Sequence, residues 1–297
     1  MRPLRALAVY IAVVFIGGAL LAPWLYWLVQ LGAGVFPKLA HSPFHRFVHR
    51  SLLGLAILGV WPLLKASGTA SLRDAGLVRP GGQWGRLGGG LLLGFVSLAL
   101  VAGFALASGA RQFNTSLSAG QWVAKIAGIT LTALVVAVLE EILFRGAIYG
   151  ALKKIFHWRF ALVLSSVLYA FVHFISPATS TEPVTWISGL ELLPRMLRGF
   201  ADAHALLPGF FNLTLAGVLL GLAYQRTGNL YFSIGLHAGW IFWLKAYGAI
   251  THPVPGANSA WWGMGAPTNG WFALPVLAAT IVFFMQLRAG RKQGFGL

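Results

Sequence analysis

Long apolar runs separated by short polar connections constrain this chain more than any other feature of its sequence. About 20 apolar residues are enough to cross the hydrocarbon core of a bilayer as a helix. Eight such runs are present, at residues 6–32, 48–65, 88–108, 122–152, 158–175, 208–225, 230–250 and 271–288. Their polarity does not alternate, which excludes barrel strands. We predict an all-α, polytopic membrane protein with about eight transmembrane helices, in which residues 1–297 form a single transmembrane domain.

Charge and cysteine content narrow the class further. Only 9% of the residues are charged, and the formal net charge is +16. The basic residues are scattered over the loops, so we expect contact with the lipid bilayer and no nucleic-acid partner. The chain has no cysteine, which excludes disulfides, thiolate zinc sites and a cysteine nucleophile.

The distribution of basic residues also predicts an orientation. The N-terminus, the C-terminus and the connections on their side carry more than half of the 22 lysines and arginines. Because such residues favour the cytoplasm, both termini are expected there. The predicted location is the inner (cell) membrane of a bacterium.

Three polar stretches outside the runs also have structural interpretations. His41, His45 and His49 are spaced four apart, which suggests either a metal-binding face or, as we favour, a basic helix start at the membrane surface. Residues 178–206 form the longest polar connection, and part of it is expected to be an amphipathic surface helix. Residues 251–270 are rich in Pro, Gly and Trp, which is typical of an interfacial loop.

The fourth run contains an unusual cluster of charges, Glu-Glu-x-x-x-Arg at residues 140–145. A charged side chain at the bilayer centre costs about 2.5–3.5 kcal/mol, so the cluster needs a reason. Glu141 and Arg145 are four residues apart and can pair on one helix face. Glu140 is rotated by about 100° from Glu141 and is not neutralised by that pair. Glu140 is therefore a candidate general base, whereas an architectural ion pair alone would explain only the other two residues.

Two histidines within later runs are possible partners of Glu140. Glu140 and His173 lie at similar distances on either side of a turn near Phe156, so adjacent antiparallel helices place them at the same depth. His237 reaches that depth only if the turn at Gly228 dips into the membrane. Together the three residues could activate water directly or through a divalent metal such as zinc. Each histidine could instead be a hydrogen-bonding strut between helices.

Three motifs then carry a family resemblance. Glu-Glu-x-x-x-Arg at 140–145, aromatic-x-x-x-His at 169–173 and His-Ala-Gly-Trp at 237–240 resemble the motifs of the CPBP family. That family, also called Abi, comprises CAAX prenyl endopeptidases and bacteriocin-processing or immunity proteins. The resemblance covers residues 120–250, which we treat as a CPBP-like catalytic core. It implies an intramembrane metalloendopeptidase, open to the cytoplasmic leaflet, that cuts a peptide, a lipidated CAAX-type protein or a membrane protein.

The resemblance also implies a role for each motif residue. Glu140 would be the general base, and Glu141 and Arg145 would be structural supports. His173 would bind or orient the attacking water or a metal, and His237 would stabilise the oxyanion. A divalent metal, with zinc as the first candidate, would be held by Glu140, His173 and His237.

Two departures from the family pattern leave alternatives open. Tyr169 stands where the second motif usually has Phe, and Ile241 stands where the third motif usually has Asn. Isoleucine cannot donate to an oxyanion, and losing one such donor costs about 10²–10³ in rate. Tyr169 and Asn212 are the candidate substitute donors. Without a substitute the chemistry is weakened, and a non-catalytic bacteriocin-immunity, scaffold or binding protein is the alternative. An ion-coupled transporter is a further alternative, because intramembrane acids also mark ion pathways.

Overall fold

Helices account for nearly all regular structure in the computed structural model, which describes residues 2–115, 118–175, 178, 183–201 and 203–287. Within these ranges, eight long helices correspond to the eight apolar runs. They are α1 (Arg2–Leu31), α2 (Phe44–Ala66), α3 (Trp84–Ala107), α4 (Ala119–Leu152), α5 (Trp158–Val172), α6 (Ala203–Thr227), α7 (Tyr231–Ile250) and α8 (Ala273–Gln286). The predicted all-α, polytopic membrane fold is confirmed.

Five of these helical segments are long and apolar enough to cross a membrane by length and composition. They are α1 to α4 and the Leu206–Thr227 part of α6. The apolar helices α5 and α8 are shorter, and α7 has polar residues such as His237 and Lys245 among its apolar ones. That α5, α7 and α8 also cross the membrane, which would give eight crossings, therefore stays a prediction.

Small residues bring α3 and α7 into direct backbone contact. Gly90 and Gly94 on α3 face Gly235 and Gly239 on α7, and a methyl group at any of the four would overlap the partner's backbone. Small residues at four-residue spacing allow this close approach in membranes. The contact fixes α7, and with it His237, against α3.

Helix α4 changes character at the charged cluster. It begins with a capping box formed by Ser118 and Gln121, and it is α-helical as far as Glu141. Residues Ile142–Tyr149 then form a π-helix, a wider turn that is often found at functional sites. The α-helical part is buried mainly along one stripe, whereas residues 144–149 are buried throughout. The glutamate pair thus lies where α4 enters the core.

The turn between α6 and α7 lies beneath another loop. The Leu230 N–H donates to the carbonyl oxygen of Gly76, in the connection that follows α2. Leu230 is fully buried and Asn229 is 3% exposed. The second half of the turn is therefore buried beneath the loop, whereas Gly228 is exposed, and the depth of the turn in the membrane stays a prediction.

The longest polar connection contains the expected amphipathic helix, Ser188–Met196. Leu192 and Met196 pack with apolar residues of α1 and α2, while Glu191 and Arg195 are exposed. Residues 179–182 and 202 of the predicted 178–206 connection lie outside the described residues.

The loop after α7 is fastened to the loop after α3. Strand β1 (Arg111–Phe113) pairs antiparallel with β2 (Thr251–Pro253). The buried Arg111 guanidinium donates to the carbonyl oxygens of Tyr247, Thr251 and Met264. These bonds order the interfacial loop predicted at 251–270.

The three early histidines do not share one helix face. His41 precedes α2, and its Nδ1 donates to the carbonyl oxygen of Pro37. His45 and His49 lie in the first turns of α2. This arrangement fits a basic helix start better than a metal-binding face.

Candidate active site

The structure brings Glu140, His173 and His237 together from three helices. Glu140 Oε2 lies 3.8 Å from His173 Nε2 and 3.7 Å from His237 Nε2. Glu140 belongs to α4, His173 ends α5, and His237 lies in α7. The side chains of Glu140 and His173 are 27% and 30% exposed, whereas His237 is 2% exposed. Glu140 and His173 therefore form the solvent-accessible part of the cluster, and His237 forms its buried part.

Glu141 is buried behind this group and binds two partners through one oxygen. Its Oε1 accepts from Arg145 Nη1 at 3.0 Å and from His237 Nδ1 at 2.8 Å. Arg145 also donates to the carbonyl oxygen of Gly217 on α6, at 3.4 Å. The Glu141–Arg145 pair has the geometry that the four-residue spacing predicted. The contact with His237 was not predicted, because it depends on how α7 packs against α4.

The hydrogen bonds that Nδ1 donates determine which ring nitrogen carries the proton in both histidines. His173 Nδ1 lies 2.7 Å from the carbonyl oxygen of Tyr169, and His237 Nδ1 faces the Glu141 carboxylate. Both partners only accept, so each Nδ1 must carry a proton. In a neutral imidazole Nε2 then holds a lone pair. The bare Nε2 of His173 and the Glu140 carboxylate thus lie close together, and the two O–H groups of a water molecule match these two acceptors.

Tyr169 adds a hydroxyl to the edge of the cluster. Its hydroxyl oxygen lies 3.1 Å from His237 Nε2, and because that nitrogen is an acceptor the hydroxyl donates. The ring is packed beside His173, with 4.4 Å between ring centroids, and against Phe144 at 5.0 Å. The Arg145 guanidinium lies 4.7 Å from the ring centroid. A phenylalanine at this position would fill the same space without the hydrogen bond.

The other two residues noted from the sequence provide no donor to this cluster. The Asn212 side-chain amide donates to the carbonyl oxygens of Thr268 at 2.8 Å and Gly270 at 2.9 Å, so both of its N–H groups are used. Ile241 follows one turn along α7, is 6% exposed and packs in the same apolar core cluster as Tyr169. Asn212 therefore fastens a loop to α6, and Ile241 fills the core.

The expected metal ligands Glu140, His173 and His237 fit a metal only in part. Metal-binding histidines usually donate their second ring nitrogen to a carboxylate or backbone carbonyl, as both do here. Within the described ranges, however, no group of three or more His, Asp or Glu side chains is arranged to hold a metal ion. The residues do not meet the geometric requirement, and the mechanism below uses no metal step.

These observations define a class of protein, a polytopic helical membrane protein with a Glu/His cluster inside its helix bundle. Residues 122–243, which carry all three motifs, match the family model described as Rce1-like, type II CAAX prenyl endopeptidase. No curated protein and no solved structure matches the chain. Residues 122–243 are therefore similar to Rce1-like domains, and the family resemblance read from the motifs is confirmed for that part of the chain.

Proposed function

We propose that this protein is an intramembrane endopeptidase that hydrolyses a peptide bond with water activated by Glu140. The observation that carries the proposal is the convergence of the Glu140 carboxylate with Nε2 of His173 and of His237, at 3.8 and 3.7 Å. The Rce1-like match supports a protease at the family level. The buried ion pair binds the other glutamate, which leaves the Glu140 carboxylate available as a base.

In the proposed reaction, Glu140 first removes a proton from water. The water oxygen attacks the carbonyl carbon of the scissile bond, and the carbonyl electron pair moves onto oxygen. Glu140 then gives its proton to the leaving nitrogen as the C–N bond breaks and the carbonyl re-forms. General acid–base catalysis of this kind contributes about 10²–10⁴ in rate when the group is within hydrogen-bond reach.

His173 holds the attacking water in this proposal. It accepts the second O–H of the water through Nε2, and the bond from His173 Nδ1 to the Tyr169 carbonyl keeps the ring in place. His237 is held by Glu141, and its Nε2 faces the Tyr169 hydroxyl. The oxyanion role that the family resemblance gives to His237 would require a proton on Nε2 in addition to the proton on Nδ1.

An apolar groove on the helix bundle supports a substrate with an apolar part, such as a lipidated CAAX-type peptide or a membrane protein. The groove has a volume of about 360 Å³ and is lined by residues of α3, α4 and α7. Ala133 and Ala238 are among them, and Ala238 directly follows His237. An apolar substituent of the substrate would bind in this groove, whose lining residues precede Glu140 on α4 and follow His237 on α7.

The test is cleavage of a farnesylated CAAX peptide and its unmodified counterpart by the detergent-purified protein. Wild type is compared with Glu140→Gln and His173→Ala, and Glu191→Gln on the exposed 188–196 helix is the matched control. We expect cleavage by wild type and by the control and none by the two site variants. Equal cleavage by Glu140→Gln would contradict the proposal, as would no cleavage by any form. Each reaction is repeated with a chelator, where loss of activity would show that a metal is required.

Ile241 favours one second candidate, a non-catalytic member that acts as an immunity or binding protein. In that case the cellular effect of the protein would persist in Glu140→Gln, because binding does not need the base. Loss of the effect in this variant, at unchanged membrane abundance, would exclude the candidate.

A further inference from the structure

A tetrahedral intermediate at this site needs a hydrogen-bond donor for its oxyanion, and the nearest polar groups are already bound. Both histidines use their N–H groups on Glu141 and on the Tyr169 carbonyl. Asn212 donates to two loop carbonyls, and Ile241 has no polar atom. Among these groups, the Tyr169 hydroxyl is the donor that can turn towards a substrate.

The position of Tyr169 suits this role. Its hydroxyl donates to His237 Nε2 at 3.1 Å, and that nitrogen lies 3.7 Å from Glu140 Oε2. The hydroxyl is therefore next to the atoms that would activate water. The ring is held by Phe144, Arg145 and His173, so the hydroxyl can exchange partners while the ring stays in place.

We propose that the Tyr169 hydroxyl is the oxyanion donor of this protein and replaces the amide that the family motif has at position 241. The inference rests on the proposed endopeptidase function. As the oxyanion forms, the hydroxyl hydrogen bond moves from His237 Nε2 to the oxyanion, and it returns when the carbonyl re-forms.

The two departures from the family pattern are then related, because a donor at position 169 replaces a donor at position 241. Tyr169 has a hydroxyl that the family's Phe lacks. Ile241, one helical turn after His237 on α7, lacks the side-chain amide of the family's Asn. Tyr169 and Ile241 pack in the same core cluster. A hydroxyl on α5 would then donate to the oxyanion in place of an amide on α7.

The first test compares Tyr169→Phe with Tyr149→Phe in the cleavage assay. Tyr149 is a fully buried tyrosine on α4 whose hydroxyl donates to Gln225 Oε1 at 3.1 Å, so it controls for the loss of a buried hydroxyl elsewhere. We expect Tyr169→Phe to lower kcat by about 10²-fold with little change in KM, because an oxyanion donor acts in the transition state. The control should stay within about threefold of wild type. An unchanged kcat in Tyr169→Phe, or an equal loss in Tyr149→Phe, would overturn the inference.

The second test restores the donor at the family's position. Ile241→Asn in the Tyr169→Phe background should raise kcat at least tenfold over Tyr169→Phe alone, with both proteins compared at equal folded fraction. No recovery in a folded double variant would count against this replacement. If Glu140→Gln abolishes cleavage but Tyr169→Phe does not slow it, this inference fails and the endopeptidase proposal stands.

A third measurement needs no substrate. The ¹⁵N spectrum of histidine-labelled protein, with the His237 signals assigned from His237→Gln, reports the protonation of each ring nitrogen. We expect an unprotonated Nε2 that accepts a hydrogen bond in wild type and loses that bond in Tyr169→Phe. A proton on Nε2 in wild type, or identical His237 signals in the two proteins, would overturn the inference even if no peptide is cleaved.

Discussion

His237 Nδ1 lies 2.8 Å from Glu141 Oε1, the same oxygen that accepts from Arg145. One carboxylate oxygen thus links the buried arginine to a histidine whose other nitrogen faces Glu140. A charge-assisted hydrogen bond of this kind orients the imidazole and fixes its tautomer. Glu141 is more than the partner of an ion pair, because it also sets which atom of His237 faces the candidate base.

The first prediction concerns this link. Glu141→Gln should remove activity and lower the free energy of unfolding by about 3–5 kcal/mol, because it leaves the buried Arg145 charge without a counter-ion. Thermal unfolding in detergent, together with the cleavage assay, measures both effects. Glu191→Gln, which changes an exposed carboxylate, should shift neither. A fully stable and active Glu141→Gln would contradict the role assigned to Glu141.

The second prediction concerns the contact between α3 and α7. Gly235→Ala should destabilise the protein by about 1–3 kcal/mol and reduce activity, because the added methyl overlaps the Leu87 backbone and displaces the helix that carries His237. Gly103→Ala is the control, since a methyl there meets open space. That control should be neutral or slightly stabilising, as alanine is the better helix former. Equal melting temperatures for the two variants would show that the helices are not in backbone contact.

The third prediction separates fastening from catalysis at Asn212. Asn212→Ala removes both hydrogen bonds to the 267–270 segment. The Gly270 carbonyl keeps the Ala273 N–H at 3.3 Å, but the Thr268 carbonyl loses its donor, which costs about 1–3 kcal/mol. The melting temperature should therefore fall, while kcat of the folded fraction stays within about threefold of wild type. A selective loss of kcat without loss of stability would indicate that Asn212 is an oxyanion donor after all.

The fourth prediction is a pH dependence that involves Lys153, which follows the end of α4. Burial lowers the pKa of Lys153, and its ammonium lies over the rings of Tyr149 and Tyr224, 4.8 and 5.0 Å from their centroids. Because the folded-state pKa is below the unfolded value, the unfolded chain binds more protons between the two values. Stability contributed by this group therefore increases as pH rises through the folded pKa towards about 10.5.

Thermal unfolding of wild type and Lys153→Met over the alkaline range tests this sign. Comparing the two proteins at each pH removes the contribution of other titrating groups, including both tyrosines. The stability of wild type relative to Lys153→Met should improve with rising pH. A relative decrease would mean that the folded state favours the charged lysine.

Helical periodicity alone located much of this site. Spacing along one helix predicted the Glu141–Arg145 pair, and the shared depth of antiparallel helices predicted that Glu140 and His173 would face each other. Both inferences use geometry that repeats along a regular helix. They hold because α4 and α5 are joined by a short turn.

Other features depend on contacts between distant segments. The Glu141–His237 bond requires α7 to be placed by its glycines against α3, and the burial of Leu230 requires the loop at Gly76 to cover the α6–α7 turn. Asn212 was predicted as a possible oxyanion donor because the sequence does not show that its amide binds carbonyl groups of a distant loop. The hydroxyl of Tyr169 was visible as a departure from the family motif, but its acceptor on α7 was not.

The central claim is that Glu140 activates water for peptide hydrolysis. The most direct measurement is mass spectrometry of a farnesylated CAAX peptide incubated in H₂¹⁸O with wild type or Glu140→Gln. The account predicts that wild type releases a fragment whose new carboxyl group carries one ¹⁸O atom and that Glu140→Gln releases none. Equal release of labelled fragment by the two proteins would contradict it.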